Sequence, residues 1–284
     1  MSTLGKIALI AGAGSLPYLF LKAASLKGYR IIVIALEKDW SIPAGFPKED
    51  VYFIPPTSAQ KILDTLTASQ VKMITILGKI NKEMLFQKLE LDHRAGQILR
   101  RIKEWTDSAI IQAVIQELEE EGFQIQDQTL LLKELFPGPG ILTQRQPNQQ
   151  EWLDAQYGFY LAKKIAALDI GQAVVVKNGA PMAIEAIEGT DAAIARGCQL
   201  SREKAVIVKV SRPDQDNRFD IPAIGLNTIK AMIHGNAALL VIEANRTLVL
   251  EQQAVIELAD RNNIAIISVS ENTSFAPPWP SEIS

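Results

Sequence analysis

The chain has 284 residues and a mass of 31.2 kDa, enough for two domains of ordinary size or one large one, and either buries a sizeable core. Hydrophobic residues make up 48% and charged residues 21%, with a mean hydropathy of +0.08, which excludes bulk disorder and a small disulfide-stapled fold. The net charge of −3 and a pI near 5.6 leave no global positive field to gather nucleic acid or anionic lipid.

Cys198 is the single cysteine, so an internal disulfide and any cysteine-rich zinc or iron–sulfur centre are excluded, and a reducing compartment fits. No apolar run reaches the roughly 18 residues of a membrane span. Lys6 to Ile10 is too short for a secretory signal and runs straight into glycines. The expectation is a cytoplasmic chain.

The first half alternates short β-branched runs with longer amphipathic ones, as when helices cover a parallel sheet. Lys6 to Ala11 reads as a buried strand, Leu16 to Lys27 as a helix closed by Gly28, and Arg30 to Leu36 as the next strand. Val51 to Ile54 is a third strand, Ala59 to Ala68 a helix, and Met73 to Leu77 a fourth strand ending at Gly78. Met84 to Ile102 and Ala109 to Glu121 read as long helices, the second opened by Thr106-Asp107-Ser108 and closed by Gly122.

Pro137-Gly138-Pro139-Gly140, followed by a Gln-rich stretch, lacks periodicity and marks the domain boundary. Beyond it come a helix, Trp152 to Leu168, and two strands, Gln172 to Lys177 and Met182 to Ala186, joined at the hairpin signal Asn178-Gly179. There follow a helix (Asp191 to Arg196), a strand (Ala205 to Val210), a polar loop (Ser211 to Pro222) and a helix (Thr228 to His234). A strand (Ala238 to Glu243), a helix (Gln253 to Asn262) and a last strand (Ile264 to Val269) complete the set, with Ser270 to Ser284 a loosely held tail. The expected fold is α/β with two domains: a Rossmann-like parallel sheet over 1–138, a Pro/Gly/Gln-rich linker over 139–150, and a mixed-sheet α/β domain over 151–284 that carries the chemistry.

Gly12-Ala13-Gly14-Ser15-Leu16-Pro17 lies between a strand and a helix, where free backbone N–H groups and the helix dipole hold an anion. Three readings stand: a phosphate or nucleotide contact, a plain tight turn, or a dinucleotide site. Pro17 stands where the third glycine of the dinucleotide fingerprint belongs, which speaks against the last. The loop Arg212 to Pro222 holds three aspartates and two arginines within eleven residues. Carboxylates suit a hard cation such as Mg²⁺ and guanidinium groups pair with phosphate; the alternative is a solvated turn with internal Asp–Arg pairs. Asp220, between Phe219 and Ile221 and directly before Pro222, stands out as firmly held.

A second acidic group runs from Glu185 to Asp191, with Thr190 or Asp191 suited to cap the following helix. Lys177 and Lys209, near strand ends, are surface charges or phosphate ligands. His93 and His234 are the only histidines and lie apart in helical text, so a histidine-built metal site is excluded. The serine-hydrolase elbow and the P-loop are also absent. Cys198, beside Gly197, reads as a buried small hydrophobe.

Four motifs in order, Gly12 to Pro17, Leu168-Asp169-Ile170-Gly171-Gln172, Glu185 to Asp191 and Gln215 to Gly225, resemble the UDP-2,3-diacylglucosamine pyrophosphatase family unrelated to the dinuclear metallophosphoesterase type, and the resemblance spans essentially the whole chain. It implies a Mg²⁺-dependent hydrolase of lipid A biosynthesis that yields 2,3-diacylglucosamine 1-phosphate (lipid X) and UMP, with two domains holding the substrate between them. The family's catalytic aspartate falls on Asp220, and Asp216 retains an acidic position. Asp107 is a further candidate, although Ser108 stands where the family has a second acid.

On this reading Asp220 and Asp216 bind Mg²⁺ or steer the water, Arg218 pairs with a phosphate oxygen, and Glu188 and Asp191 complete the metal's shells. Gly12, Gly14 and Ser15 cradle phosphate, and Gln215, Thr190 and Lys209 contact substrate. The two acyl chains need an apolar cleft, expected at the domain interface, and a substrate this greasy implies peripheral contact with the inner membrane without a span. A homo-oligomer and the absence of nucleic-acid partners complete the expectation. Its rivals are an NAD- or nucleotide-sugar-dependent oxidoreductase and a non-catalytic nucleotide- or lipid-binding protein.

Overall fold

Apolar runs become buried strands throughout the computed structural model, which describes residues 5–78, 91–103, 107–219 and 221–270. The chain divides into two compact units, Met1–Lys133 with Asp216–Asp220, and Glu134–Gln215 with Ile221–Ser284.

The first unit is built on strands β1 (Lys6–Ala11), β2 (Arg30–Ala35), β3 (Val51–Phe53), β4 (Met73–Leu77) and β5 (Gln124–Ile125). They form an all-parallel sheet in the order β3-β2-β1-β4-β5. Burial on both faces explains why β1, β2 and β4 read as continuous apolar runs rather than alternating ones. The order reverses at β1, which pairs with β2 on one side and β4 on the other; Ile10 is in register with both Ile34 and Ile76. Its helices are α1 (Leu16–Leu26), α2 (Ala59–Ala68), α3 (His93–Arg100) and α4 (Asp107–Glu120). The expected helix from Met84 is described only as α3, since 79–90 lie outside the described residues.

One carboxylate organises two of these helix starts. Asp92 accepts from Ala95 N at 2.7 Å, capping α3, and from Gln60 N in the first turn of α2 at 2.8 Å. A charged lattice then joins α3 to α4: Arg94 pairs with Glu117 and Glu121, and Arg101 reaches Glu117 at 3.0 Å and Glu120 at 2.9 Å.

The second unit is built on a six-stranded mixed sheet, whose strands, taken in chain order, pair from edge to edge as first, last, fifth, fourth, second and third. Its strands are β6 (Gly140–Ile141), β7 (Ala173–Lys177), β8 (Ala180–Ile184), β9 (Val206–Lys209), β11 (Leu239–Glu243) and β13 (Ala265–Val269), while β10 (Ala223–Ile224) and β12 (Leu248–Val249) make a separate short parallel pair. β9, β11 and β13 run parallel; β7 is antiparallel to β8 and β9, and β6 to β13. The stretch read as a linker thus contributes an edge strand, and Asn148 and Glu151 form a reciprocal capping box on the next helix.

Helices α5 (Gln149–Ala167), α6 (Thr190–Ser201), α7 (Leu226–His234) and α8 (Gln252–Arg261) cover both faces of this sheet. Alternate side chains sort to the two layers: Val174, Val176, Val206 and Val208 share a cluster with Phe159 and Ala162 of α5, whereas Val175 and Ile207 share one with Ile194 of α6, Met232 of α7 and Val255 of α8. Asn178 and Gly179 take φ of +51° and +73°, the pattern of a tight I′ hairpin turn. Both their N–H groups donate to the buried Asp154 carboxylate, at 2.9 and 2.7 Å. Burial pushes the Cys198 thiol up to about 11, in keeping with a small core hydrophobe.

Candidate active site

The carboxyl ends of β1 and β4 bring two glycine segments together where the strand order reverses. Gly12 is buried and donates its N–H to Leu77 O at 2.8 Å; Gly14 has φ of +101°. Gly78, at φ +94°, packs so tightly that an added Cβ would stand 2.7 Å from Ala13 O and 2.7 Å from Gly12 C, so only glycine fits. Ser15 and Gly14 are exposed, α1 starts directly after them with Pro17 in its first turn, and no side chain caps that start. In open α/β sheets this is where anionic ligands settle.

The segment 216–219 belongs to the first unit although it follows more than eighty residues after Lys133. Phe219, 5% exposed, is part of the cluster that contains Ile10, Ile34, Ile76 and Leu118. Asn217 O accepts from Gln128 N at 2.9 Å, and the buried Gln128 side chain donates in turn to Ile76 O on β4. Arg218 is held from two sides. Its Nη1 lies 2.7 Å from Glu119 Oε1 of α4, and its Nε and Nη2 fork onto both oxygens of Asp216, the shortest contact being 2.7 Å. The Arg218 guanidinium holds the Asp216 carboxyl below its usual range. Of the two readings open for this loop, an internal Asp–Arg pair is what the structure shows for Asp216 and Arg218. Asp220 lies outside the described residues, as do the 271–284 tail and the side chain of Asp107.

In the second unit the assigned residues make local bonds. Thr190 donates to Glu185 Oε1 at 2.7 Å, while Glu185 Oε2 accepts from Gln172 N at 3.1 Å. Gly189, at φ +82°, takes the N-cap position of α6 in place of Thr190 or Asp191, and Asp191 is exposed in the first turn. Glu188 accepts from Ala186 N at 3.1 Å and pairs with Arg196 at 2.6 Å; its own backbone N–H, with Arg196, lowers its pKa. Lys209 donates to Ala223 O at 2.9 Å, Lys177 reaches Lys204 O at 3.4 Å, and Gln215 is half-buried at the entrance to the 216–219 segment.

These contacts bear on the expected metal. Both oxygens of Asp216 and of Glu188 accept hydrogen bonds, and among the described residues no three His, Cys, Asp or Glu side chains converge as a metal set. Asp216 and Glu188 are thus already engaged by arginine and backbone donors, while Asp191 stays exposed in the first turn of α6.

Sequence reasoning missed the residues that hold these loops. Glu243, 3% exposed at the end of β11, accepts from Ser211 N at 2.8 Å and pairs with Lys163 of α5 at 3.0 Å, fixing the point where the polar loop begins. A glutamate closing an apolar strand was its only signal. Gln128 and Glu119, which anchor 217 and 218, lie about ninety and a hundred residues away in sequence and carried none.

Fold and site define a two-domain α/β protein with a glycine-lined switch point in a Rossmann-like first unit and a mixed-sheet second unit. Residues 6–135 match the model of the LpxI N-terminal domain and residues 138–267 that of the LpxI C-terminal domain. The chain belongs to the LpxI family. It is 30% identical over 277 residues to the UDP-2,3-diacylglucosamine pyrophosphatase LpxI of Caulobacter vibrioides, an alignment covering 93% of this chain and 97% of the relative. Among the described residues no helix is long and apolar enough to cross a membrane.

Proposed function

We propose that this chain hydrolyses the pyrophosphate bond of UDP-2,3-diacylglucosamine, giving lipid X and UMP in lipid A biosynthesis. The observation that carries the reading is the end-to-end likeness to a pyrophosphatase, through both family domains in order. Opening a pyrophosphate needs its charge balanced, water aligned with the bond, and the leaving phosphate stabilised.

In this reading the backbone at the exposed Gly14 and Ser15, at the start of α1, receives a phosphate of the substrate. Asp220 is the acid that aligns or activates water, as the family resemblance implies. Asp216 acts through Arg218, fixing the guanidinium by a two-point fork, so that one of the two assigned charges orients the other. Thr190, Gln215 and Lys209 are proposed substrate contacts. Mg²⁺ is proposed as cofactor on the resemblance alone; because Asp216 and Glu188 are committed to guanidinium groups, no step is assigned to the ion. A peripheral contact with the inner membrane follows from the two acyl chains of the substrate.

The test is incubation of purified protein with UDP-2,3-diacylglucosamine, with Mg²⁺ and with a chelator, scored for UMP and lipid X by mass spectrometry. Turnover lost in Asp220→Ala is the expected result. Intact substrate in the presence of Mg²⁺ overturns the reading, and undiminished turnover under chelation removes the Mg²⁺ requirement.

A further inference from the structure

Helices α2, α3 and α4 leave a space against the first sheet. A half-enclosed cavity of about 100 Å³ lies there, lined by Ile10 and Ile76 of the sheet, Leu63 of α2, Ile98 of α3, and Ile111 and Leu118 of α4. Among the described residues the one charged side chain on its wall is Glu117, and that carboxylate is drawn to Arg94 and Arg101. A void so apolar offers water no partners and stays dry; it suits hydrocarbon and nothing with a headgroup.

Its walls are firmly set. Asp92 ties the starts of α2 and α3 together, and the Arg94/Arg101 lattice ties α3 to α4. Its position matters as much as its chemistry. Ile10 lies two residues before Gly12 and Ile76 two before Gly78, so the cavity sits beneath the end of the sheet that carries the glycine segments. Phe219 shares one core cluster with the wall residues Ile10, Leu63, Ile76 and Leu118.

Resting on the pyrophosphatase reading, we infer that this cavity receives the distal carbons of one acyl chain of the diacyl sugar, within the first unit itself. An apolar cavity of about 150 Å³ takes one benzene. The space here therefore holds the last few carbons of one chain, and the cavity acts as a ruler for acyl length.

The experiment uses the full chain with a series of UDP-2,3-diacylglucosamines of increasing acyl length. For lengths that reach the cavity, kcat/KM rises about fourfold per methylene and then levels off. Ala95 also lines the cavity, and Ala95→Phe, which fills it from α3, lowers kcat/KM for the longest chains by about tenfold or more, and the plateau moves to shorter chains while short-chain turnover is kept. Ile111→Ala, which enlarges it, moves the plateau to longer chains. An unchanged length profile in both variants, each confirmed folded by thermal melting, overturns the inference.

Methyl NMR with dodecanoate supplies a readout independent of catalysis. The methyls of Ile98 and Ile111 shift in the parent chain and not in Ala95→Phe, and silent methyls in the parent overturn the inference as well. A parent chain inactive on every length removes the pyrophosphatase reading, and the methyl shifts then decide the cavity on their own.

Discussion

Phe219→Ala asks whether one buried ring holds the loop that leads into Asp220. Phe219 is 5% exposed in the core of the first unit, and truncating a Phe at such a site costs about 3–5 kcal/mol. The remaining ties of this segment are weaker. The Gln128 to Asn217 bond contributes about 1 kcal/mol. The Arg218–Glu119 pair, with side chains 34% and 46% exposed, contributes about 1 kcal/mol or less. Against these stands the ordering of the segment, at about 1–2 kcal/mol per residue.

Without the ring the balance turns toward release. A shift of about 3 kcal/mol lowers the docked population by roughly two orders of magnitude, and kcat falls with it. Hydrogen exchange reads the same event directly, since the amides of 216–219 lose protection while those of β1 and β4 keep theirs. Phe219→Leu, close in volume, restores most of both. Protected amides at 216–219 in Phe219→Ala, with turnover near that of the parent, would refute the assignment of Phe219 as the anchor.

Four further outcomes are expected. Gly78→Ala forces a side chain into a +94° backbone and against the Gly12-Ala13 backbone; the melting temperature drops by several degrees and affinity for UDP falls, and a variant that melts and binds like the parent contradicts the packing described. Asp216 has its pKa lowered by Arg218, so its tie is fully present above the ordinary carboxylate value of about 3.9 and is lost as pH falls through the lowered one. The protection of the 216–219 amides, measured relative to their intrinsic exchange rates, accordingly falls at acid pH in the parent, and Asp216→Asn lacks that step; identical acid limbs would argue against the pair.

Cys198, with its thiol pushed up to about 11, is alkylated at pH 8 at least about a hundredfold more slowly in the native chain than in the unfolded one, because little thiolate exists. Mass spectrometry after iodoacetamide gives the ratio, and comparable rates would place Cys198 outside the core. Asp154→Ala removes the shared acceptor of Asn178 and Gly179 and costs about 1–3 kcal/mol in denaturant unfolding; an unchanged midpoint would show the turn needs no such support.

The alternation of apolar runs gave the strands and helices of both units, because a strand buried on two faces and a helix buried on one leave distinct periods in the text. Asn178-Gly179 was legible for the same local reason. Strand order was not: nothing in Arg30–Ala35 or Met73–Leu77 says that each flanks β1. β5, β10 and β12, of two residues each, are too short to show a period.

At the site, the glycine segment could be read because a strand, two glycines and a helix follow one another without a gap. The fate of Asp216 and Arg218 could not. Whether an arginine two residues from an aspartate folds back onto it or reaches for a ligand depends on neighbours such as Glu119 and Gln128, which belong to distant stretches of chain. Glu243 was overlooked because the end of a strand is an ordinary place for a charge, and only Lys163 and Ser211 make it a clasp.

That the polypeptide returns a short loop to its first unit, long after leaving it, sets a rule for cutting or splicing this chain. A fragment ending at residue 135 carries an oily socket without its plug. A chimaera that takes its front half from one relative and its back half from another must match socket and plug from different parents. The seam that alignment suggests near residue 136 is thus the wrong place to divide the molecule, and a graft that includes 216–219 with the front half is the one that should hold its shape.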